Sequence, residues 1–199
     1  VTGVQTCALP ISTAHGTRAK VAVRINPDFE LKSSGMKMGG RPTQFGVDAE
    51  RAPELLGRLK KLPLDFWGFH IFSGSQNLRA EAIVEAQTKT FELAFRLASR
   101  APSPLRVLNV GGGFGIPYFP GDQPLELAPV AENLERCMIQ ARERLPETKV
   151  VLELGRYLVG EAGIYVCRII DRKISRGEVF LVTDGGLHHH LAEIGRAHV

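Results

Sequence analysis

The chain has 199 residues, 44% hydrophobic and 23% charged, enough for one sizeable core or for one domain and part of another. Its net charge of +4 is spread with no basic run of five or more, so no nucleic-acid or membrane surface is indicated, and no stretch is apolar enough to span a bilayer. Three cysteines, Cys7, Cys137 and Cys167, are too few and too scattered for a disulfide framework or a metal knuckle, and they suit a reducing cytoplasm.

Residues 1–11 and 193–199 resemble translations of a sequencing adapter in its two orientations, so both are set aside as non-native. The remainder, residues 12–192, reads as a piece of a longer gene. Lys20-Val-Ala-Val-Arg-Ile-Asn26 is an apolar strand stopped by Pro27, and the polar, glycine-rich span to Gly46 reads as loop. Leu55, Leu59 and Leu62 share one face of a helix over residues 52–62, closed by Pro63. Phe66-Trp-Gly-Phe-His-Ile71 is the next strand, and residues 80–100 form a long helix with Ile83, Ala86, Thr90, Leu93 and Leu97 on one side. Arg106-Val-Leu-Asn-Val-Gly-Gly-Gly-Phe-Gly115 is a strand that runs into four glycines. Val130, Leu134, Cys137, Ala141 and Leu145 mark a further helix with Pro129 in its first turn, followed by the strand Val150-Val-Leu-Glu-Leu154.

Strands spaced about 40 to 45 residues apart and separated by helices predict βα units and a parallel sheet, either a barrel or an open doubly wound sheet. Past Gly163 the pattern changes. Residues 164–171 and 179–183 read as two strands joined by Ser175-Arg-Gly-Glu178, a hairpin that opens an antiparallel β domain at about residue 160.

In parallel α/β folds, ligands gather at the C-terminal ends of the strands. Here those ends carry Arg24 and Asn26; His70, Phe72, Ser73, Ser75 and Gln76; Gly111, Gly112, Gly113 and Gly115; and Glu153, Gly155 and Arg156. The glycine run lacks the last glycine of G-x-G-x-x-G, and no Gly-Lys-Ser/Thr follows, so it matches neither a dinucleotide fingerprint nor a P-loop. Its exposed N–H groups still suit a phosphate, although a plain strand-to-helix turn would also use glycines. Glu153 is one carboxylate on an otherwise apolar strand. Buried, it needs a partner, either Arg156 in a structural salt bridge or the protonated nitrogen of a cofactor. A phosphorylated, flat, nitrogen-containing cofactor satisfies every member of the set, and pyridoxal 5′-phosphate fits that description.

Four motifs in one order now resemble the fold-type III pyridoxal-phosphate decarboxylases, which include the diaminopimelate, ornithine and arginine decarboxylases: Gly68-Phe-His-Ile-Phe-Ser-Gly-Ser-Gln76, Gly111-Gly-Gly-Phe-Gly115, Glu153-Leu-Gly-Arg156 and Asp184-Gly-Gly186. The resemblance implies an α/β fold: a partial TIM-type (β/α)8 barrel of the alanine racemase-like type over residues 12–160, then the start of a C-terminal antiparallel β domain over 161–192. It implies that Ser75, Gly111, Gly112, Gly113, Gly155 and Arg156 cradle the cofactor phosphate, that Glu153 pairs with the pyridine nitrogen, and that Arg24, His70 and Phe72 lie at the cofactor. Asp184 resembles an aspartate beside the substrate pocket. The expected activity is loss of the α-carboxylate of an amino acid as carbon dioxide, in a homodimer.

Departures from the pattern matter too. Phe72 stands where the family has a ring-stacking histidine, Leu154 replaces the proline of E-P-G-R, and Gln44 stands where lysine is common. The motifs look most like the branch associated with exosortase systems. Three consecutive histidines, residues 188–190, cannot all face one ion from a strand, so no metal is expected. The family's Schiff-base lysine ends the first barrel strand, upstream of the residues seen here, and the chain alone is therefore expected to be inactive. The alternatives are an amino-acid racemase of the same fold, a non-catalytic pyridoxal-phosphate barrel, and a phosphate-binding barrel that uses no pyridoxal.

Overall fold

The structure is a computed structural model that describes residues 8–29, 36–37 and 45–186; Gln44 and residues 188–190 lie outside them. The chain divides into two compact units, Val1–Gly160 and Glu161–Val199.

The first unit opens with helix α1 (Ala8–Ala14) and strand β1 (Ala19–Asn26). Two short strands follow, β2 (Met36–Lys37) and β3 (Val47–Asp48), then helix α2 (Ala52–Leu59). Next come strand β4 (Leu64–Ile71), strand β5 (Gly74–Ser75) and helix α3 (Ala80–Ala98). Strand β6 (Val107–Gly112), helix α4 (Ala128–Arg144), strand β7 (Lys149–Glu153) and helix α5 (Gly155–Val159) complete the unit. The main sheet has the order β3-β1-β4-β6-β7, and all its neighbours are parallel. From β1 to β7 the spatial order follows the chain order, with α2, α3 and α4 as the crossovers. A doubly wound sheet reverses its order at a switch point, whereas this sheet winds one way, as the wall of a (β/α) barrel does. Of the two architectures the strand spacing left open, the chain adopts a partial barrel, and a short antiparallel sheet follows it in the second unit.

The two faces of the sheet differ in chemistry. Ile25, Phe69, Ile71 and Leu108 are almost wholly buried and join Leu56 of α2 and Phe91 of α3 in one core. Each such side chain contributes about 1.5–3 kcal/mol. Residues between them along the strands point the other way, and there the register places Arg24 beside His70 and His70 beside Asn109. Gly68 (φ +151°) lets β4 and β6 close up at one point, because a Cβ there would lie 1.7 Å from the Val107 carbonyl oxygen.

Helices α3 and α4 enclose a polar cluster in which Asn133 Nδ2 donates to Gln87 Oε1 (3.0 Å) and to the Val84 carbonyl (3.3 Å). Burial pushes the neighbouring Cys137 thiol up, which suits a packing role rather than a nucleophilic one. No helix among the described residues is long and apolar enough to cross a membrane.

Several boundaries differ from the sequence reading. Helix α2 stops at Leu59, not Leu62, because the residue before a proline disfavours helical geometry; Leu62 closes a turn on Leu59 instead. The 27–46 span, read as loop, contributes β2, which pairs antiparallel with β5. In the second unit, β8 (Ile169–Ser175) and β9 (Glu178–Thr183) pair antiparallel, so the first arm lies at 169–175 rather than 164–171. Arg176 (φ 52°) and Gly177 (φ 89°) form a two-residue turn with both φ values positive, and such a turn fixes where both arms begin.

Candidate cofactor site

Every predicted site residue of the first unit falls at or just past the C-terminal end of β1, β4, β6 or β7. The backbone stitches two of these ends together, those of β4 and β6. Asn77 N–H donates to the Gly113 carbonyl (2.8 Å), and Gly115 N–H donates to the Asn77 carbonyl (2.9 Å). The loop carrying Ser75 and Gln76 therefore lies against the glycine run. Gly113 has φ +90°, and a Cβ on it would come within 2.3 Å of the Gly74 carbonyl oxygen. A Cβ on Gly111 (φ +71°) would lie 2.6 Å from the Phe72 ring, so the bare backbone and an aromatic face touch at that point. The sequence needs glycine at both positions for conformation and for space.

Arg156, near the start of α5, reaches across to the same loop: its Nη1 donates to Gln76 Oε1 at 3.1 Å and to the Tyr118 hydroxyl at 3.4 Å. Gln76 Nε2 in turn donates to the Ile116 carbonyl at 2.6 Å. Ser75, the glycine run and Arg156 thus belong to one cluster. Gly155 is exposed, and a Cβ on it would meet nothing within 4 Å.

Glu153 departs from expectation. Its side chain is 53% exposed, not buried, because β7 is the edge strand and the residue projects from the polar face of the sheet. Arg156 bonds elsewhere, so the two form no salt bridge. The partners of Glu153 are Asn109, whose Nδ2 donates to Oε1 at 2.9 Å, and His70, whose Nε2 lies 3.5 Å from Oε2. Asn109 also accepts the Gly111 N–H at 2.8 Å. Sequence reasoning missed Asn109, as it missed Tyr118. The signal for Asn109 was a lone polar residue within an apolar strand, one step out of phase with buried Leu108.

His70 Nε2 is buried and forms no hydrogen bond, its 3.5 Å contact with Glu153 being too long for one. Burial lowers the imidazole below its usual range; Glu153 opposes this, and Arg24 adds to it. The ring is therefore neutral near pH 7. Arg24 stands over Phe72 (5.6 Å) and Phe45 (5.1 Å), which aligns cation and rings along one side of the site. Asp184 lies in the second unit, where its Oδ1 accepts the Arg168 N–H at 2.8 Å.

The titration of His70 has a consequence for stability. Well above about pH 6.5 neither the folded nor the unfolded imidazole carries much charge. Below that, the unfolded chain takes up a proton that the folded chain refuses, so stability falls with pH until the lowered folded pKa is passed. Urea midpoints measured from pH 8 to pH 5 should therefore fall less steeply for His70→Gln than for the parent.

A winding parallel sheet whose strand ends hold a glycine-lined cradle, a guanidinium, an aromatic face and a carboxylate defines a cofactor-binding barrel domain. The pyridoxal binding domain of the pyridoxal-dependent decarboxylases matches residues 9–160, and the chain belongs to that family. The L-glutamyl-[BtrI acyl-carrier protein] decarboxylase of Niallia circulans is 38% identical over 180 residues, covering 89% of this chain and 42% of that protein. The diaminopimelate decarboxylase of Thermoplasma acidophilum is 34% identical over 170 residues, covering 85% of this chain and 40% of that protein. Among solved structures, the Helicobacter pylori diaminopimelate decarboxylase complexed with L-lysine superposes with a TM-score of 0.71 at 26% identity, over 90% of this chain and 44% of that one. That from M. jannaschii, in co-complex with L-lysine, gives 0.74 at 25% identity, over 89% and 42%. The chain spans about two fifths of the length of these relatives.

The family's cofactor is pyridoxal 5′-phosphate, and the residues present fit it. The side-chain-free cradle at Gly111 and Gly113 with Arg156 suits a dianionic phosphate. Phe72 offers a face for a flat ring, while the orphaned His70 Nε2 and the half-exposed Glu153 carboxylate, whose Oε1 is held by Asn109, leave polar atoms for a ligand.

Proposed function

We propose that this chain is the cofactor-cradling part of an amino-acid decarboxylase, and that by itself it is inactive. The observation that carries the reading is the convergence of the glycine cradle, Arg156 and a carboxylate tied to that cradle through Asn109. Ser75, the backbone of Gly111, Gly112 and Gly113, Gly155 and Arg156 hold the phosphate; Phe72 and His70 flank the ring, and Arg24 stands beside Phe72. Bound pyridoxal phosphate supplies an electron sink that lets an α-carboxylate leave as carbon dioxide. Glu153 keeps a proton on the ring nitrogen, since a carboxylate facing that atom stabilises its charged form. Neutral His70 adds no second positive charge beside it. On this reading Asp184 serves the substrate and the full protein is a homodimer. A racemase of the same fold is the weaker reading: the atom offered here is a carboxylate, whereas the racemase pattern presents an arginine to the nitrogen.

Titrating the chain with pyridoxal 5′-phosphate while following Trp67 fluorescence tests the cradle. Saturable quenching, competed by inorganic phosphate, is expected. Arg156→Ala should weaken binding about 10- to 100-fold, the range for losing a charge-assisted hydrogen bond. The same substitution should move the melting temperature little, because Arg156 is exposed. Quenching that phosphate fails to compete would remove the phosphate role.

A further inference from the structure

Asn109 is half-buried on the polar face of the sheet, in register between His70 on one side and Val151 on the other. Its amide is used at both ends. Oδ1 accepts the N–H of Gly111, the first residue of the cradle, at 2.8 Å, and Nδ2 donates to Glu153 Oε1 at 2.9 Å. Glu153 is half-exposed and sits at the end of an edge strand, so little else among the described residues restrains it. Strands β6 and β7 also lose regular register at this level: Asn109 pairs with Val151, but the next pair is Gly112 with Glu153. A side-chain bridge thus spans the place where the backbone ladder is irregular.

We propose that Asn109 is a positioning residue that ties the Glu153 carboxylate to the phosphate cradle, so that one amide sets the distance between the group gripping the phosphate and the group facing the ring nitrogen. The inference rests on the reading of Glu153 given above. Asparagine suits the place because it offers an acceptor and a donor on a short, stiff stem; aspartate would set a second carboxylate against Glu153, and alanine would break both bonds. The groups facing Glu153 are His70 from β4 and Asn109 from β6, with Arg24 of β1 acting on His70.

The test uses the whole chain and 4′-deoxypyridoxine 5′-phosphate, which has no aldehyde and so needs no lysine. Ultraviolet absorbance against pH reads protonation of its ring nitrogen, and displacement by inorganic phosphate reads the cradle. Glu153→Gln should lower the pH at which the bound ring deprotonates by about one unit or more. Asn109→Ala should lower it too, but should add nothing when Glu153→Gln is already present. In both backgrounds Asn109→Ala should weaken inorganic phosphate about 2- to 10-fold, the cost of one lost backbone hydrogen bond. Asn109→Ser is the second variant should the alanine chain fold poorly. If Glu153→Gln shifts the ring titration and neither Asn109 variant does, the coupling is wrong and the reading of Glu153 stands. If Glu153→Gln itself shifts nothing, or the probe does not bind, the reading of the site falls and takes the coupling with it.

Discussion

In an intact protein carrying this chain, Glu153→Gln is expected to cut turnover about 10²- to 10³-fold, the loss typical of removing one fixed group that stabilises developing charge. Cofactor affinity should change by no more than a few-fold. On the proposed reading the two effects separate, because the glycine run and Arg156 would grip the phosphate whereas Glu153 would act at the ring. Glutamine keeps the shape and can still accept from Asn109 Nδ2, so the local hydrogen bond at 2.9 Å survives while the charge does not. Glu153→Ala should lose as much turnover and somewhat more binding, since Asn109 then keeps an unpaired donor. Turnover with the native substrate and cofactor titration on the same preparation check this. Equal losses in both would mean that Glu153 builds the site rather than holding a proton.

The strand ends were legible in the sequence because apolar runs that stop at glycine or a polar residue mark both the element and its ligand-facing end. That is why the sequence alone places Arg24, His70, Gly111 and Glu153 on one edge. What stayed hidden was the face. Val150-Val-Leu-Glu-Leu154 reads as an apolar strand whose one carboxylate is buried, yet Val151 is 39% exposed and Glu153 53%, because whether a strand is central or at the edge depends on neighbours distant in sequence. Asn109 was overlooked for the same reason. Its polarity is unremarkable until the pairing sets it between His70 and the strand that carries Glu153. The hairpin shows the converse. Ile164, Tyr165 and Val166 have high strand propensity and formed part of the expected arm, but they are 92%, 45% and 79% exposed and lie outside the paired segment. Propensity was overruled there by the turn at Arg176-Gly177, from which pairing runs back only to Ile169.

The cradle makes a prediction about stability and ligand binding together. Gly113→Ala should destabilise the chain by about 2–3 kcal/mol, combining the penalty of a positive φ with displacement of a backbone atom. For a chain of this size that is a fall of about 5–10 °C in melting temperature. The displaced atom is the Gly74 carbonyl oxygen, 2.3 Å from the new Cβ, and Gly74 immediately precedes Ser75. Relief therefore has to move the Ser75 loop away from the glycine run and stretch the Asn77 N–H to Gly113 carbonyl bond of 2.8 Å. Phosphate affinity should drop at least tenfold, because the donors no longer converge. Gly57→Ala is the control: it lies within α2, its Cβ would meet nothing within 4 Å, and alanine is the better helix former by about 1 kcal/mol. Paired melting and pyridoxal 5′-phosphate titrations should show Gly57→Ala as stable as the parent or more so, with full binding. A Gly113→Ala chain that melts lower yet binds as tightly as the parent would show that the loop gives way without disturbing the cradle, and that the phosphate is held by Arg156 and not by the glycine backbone.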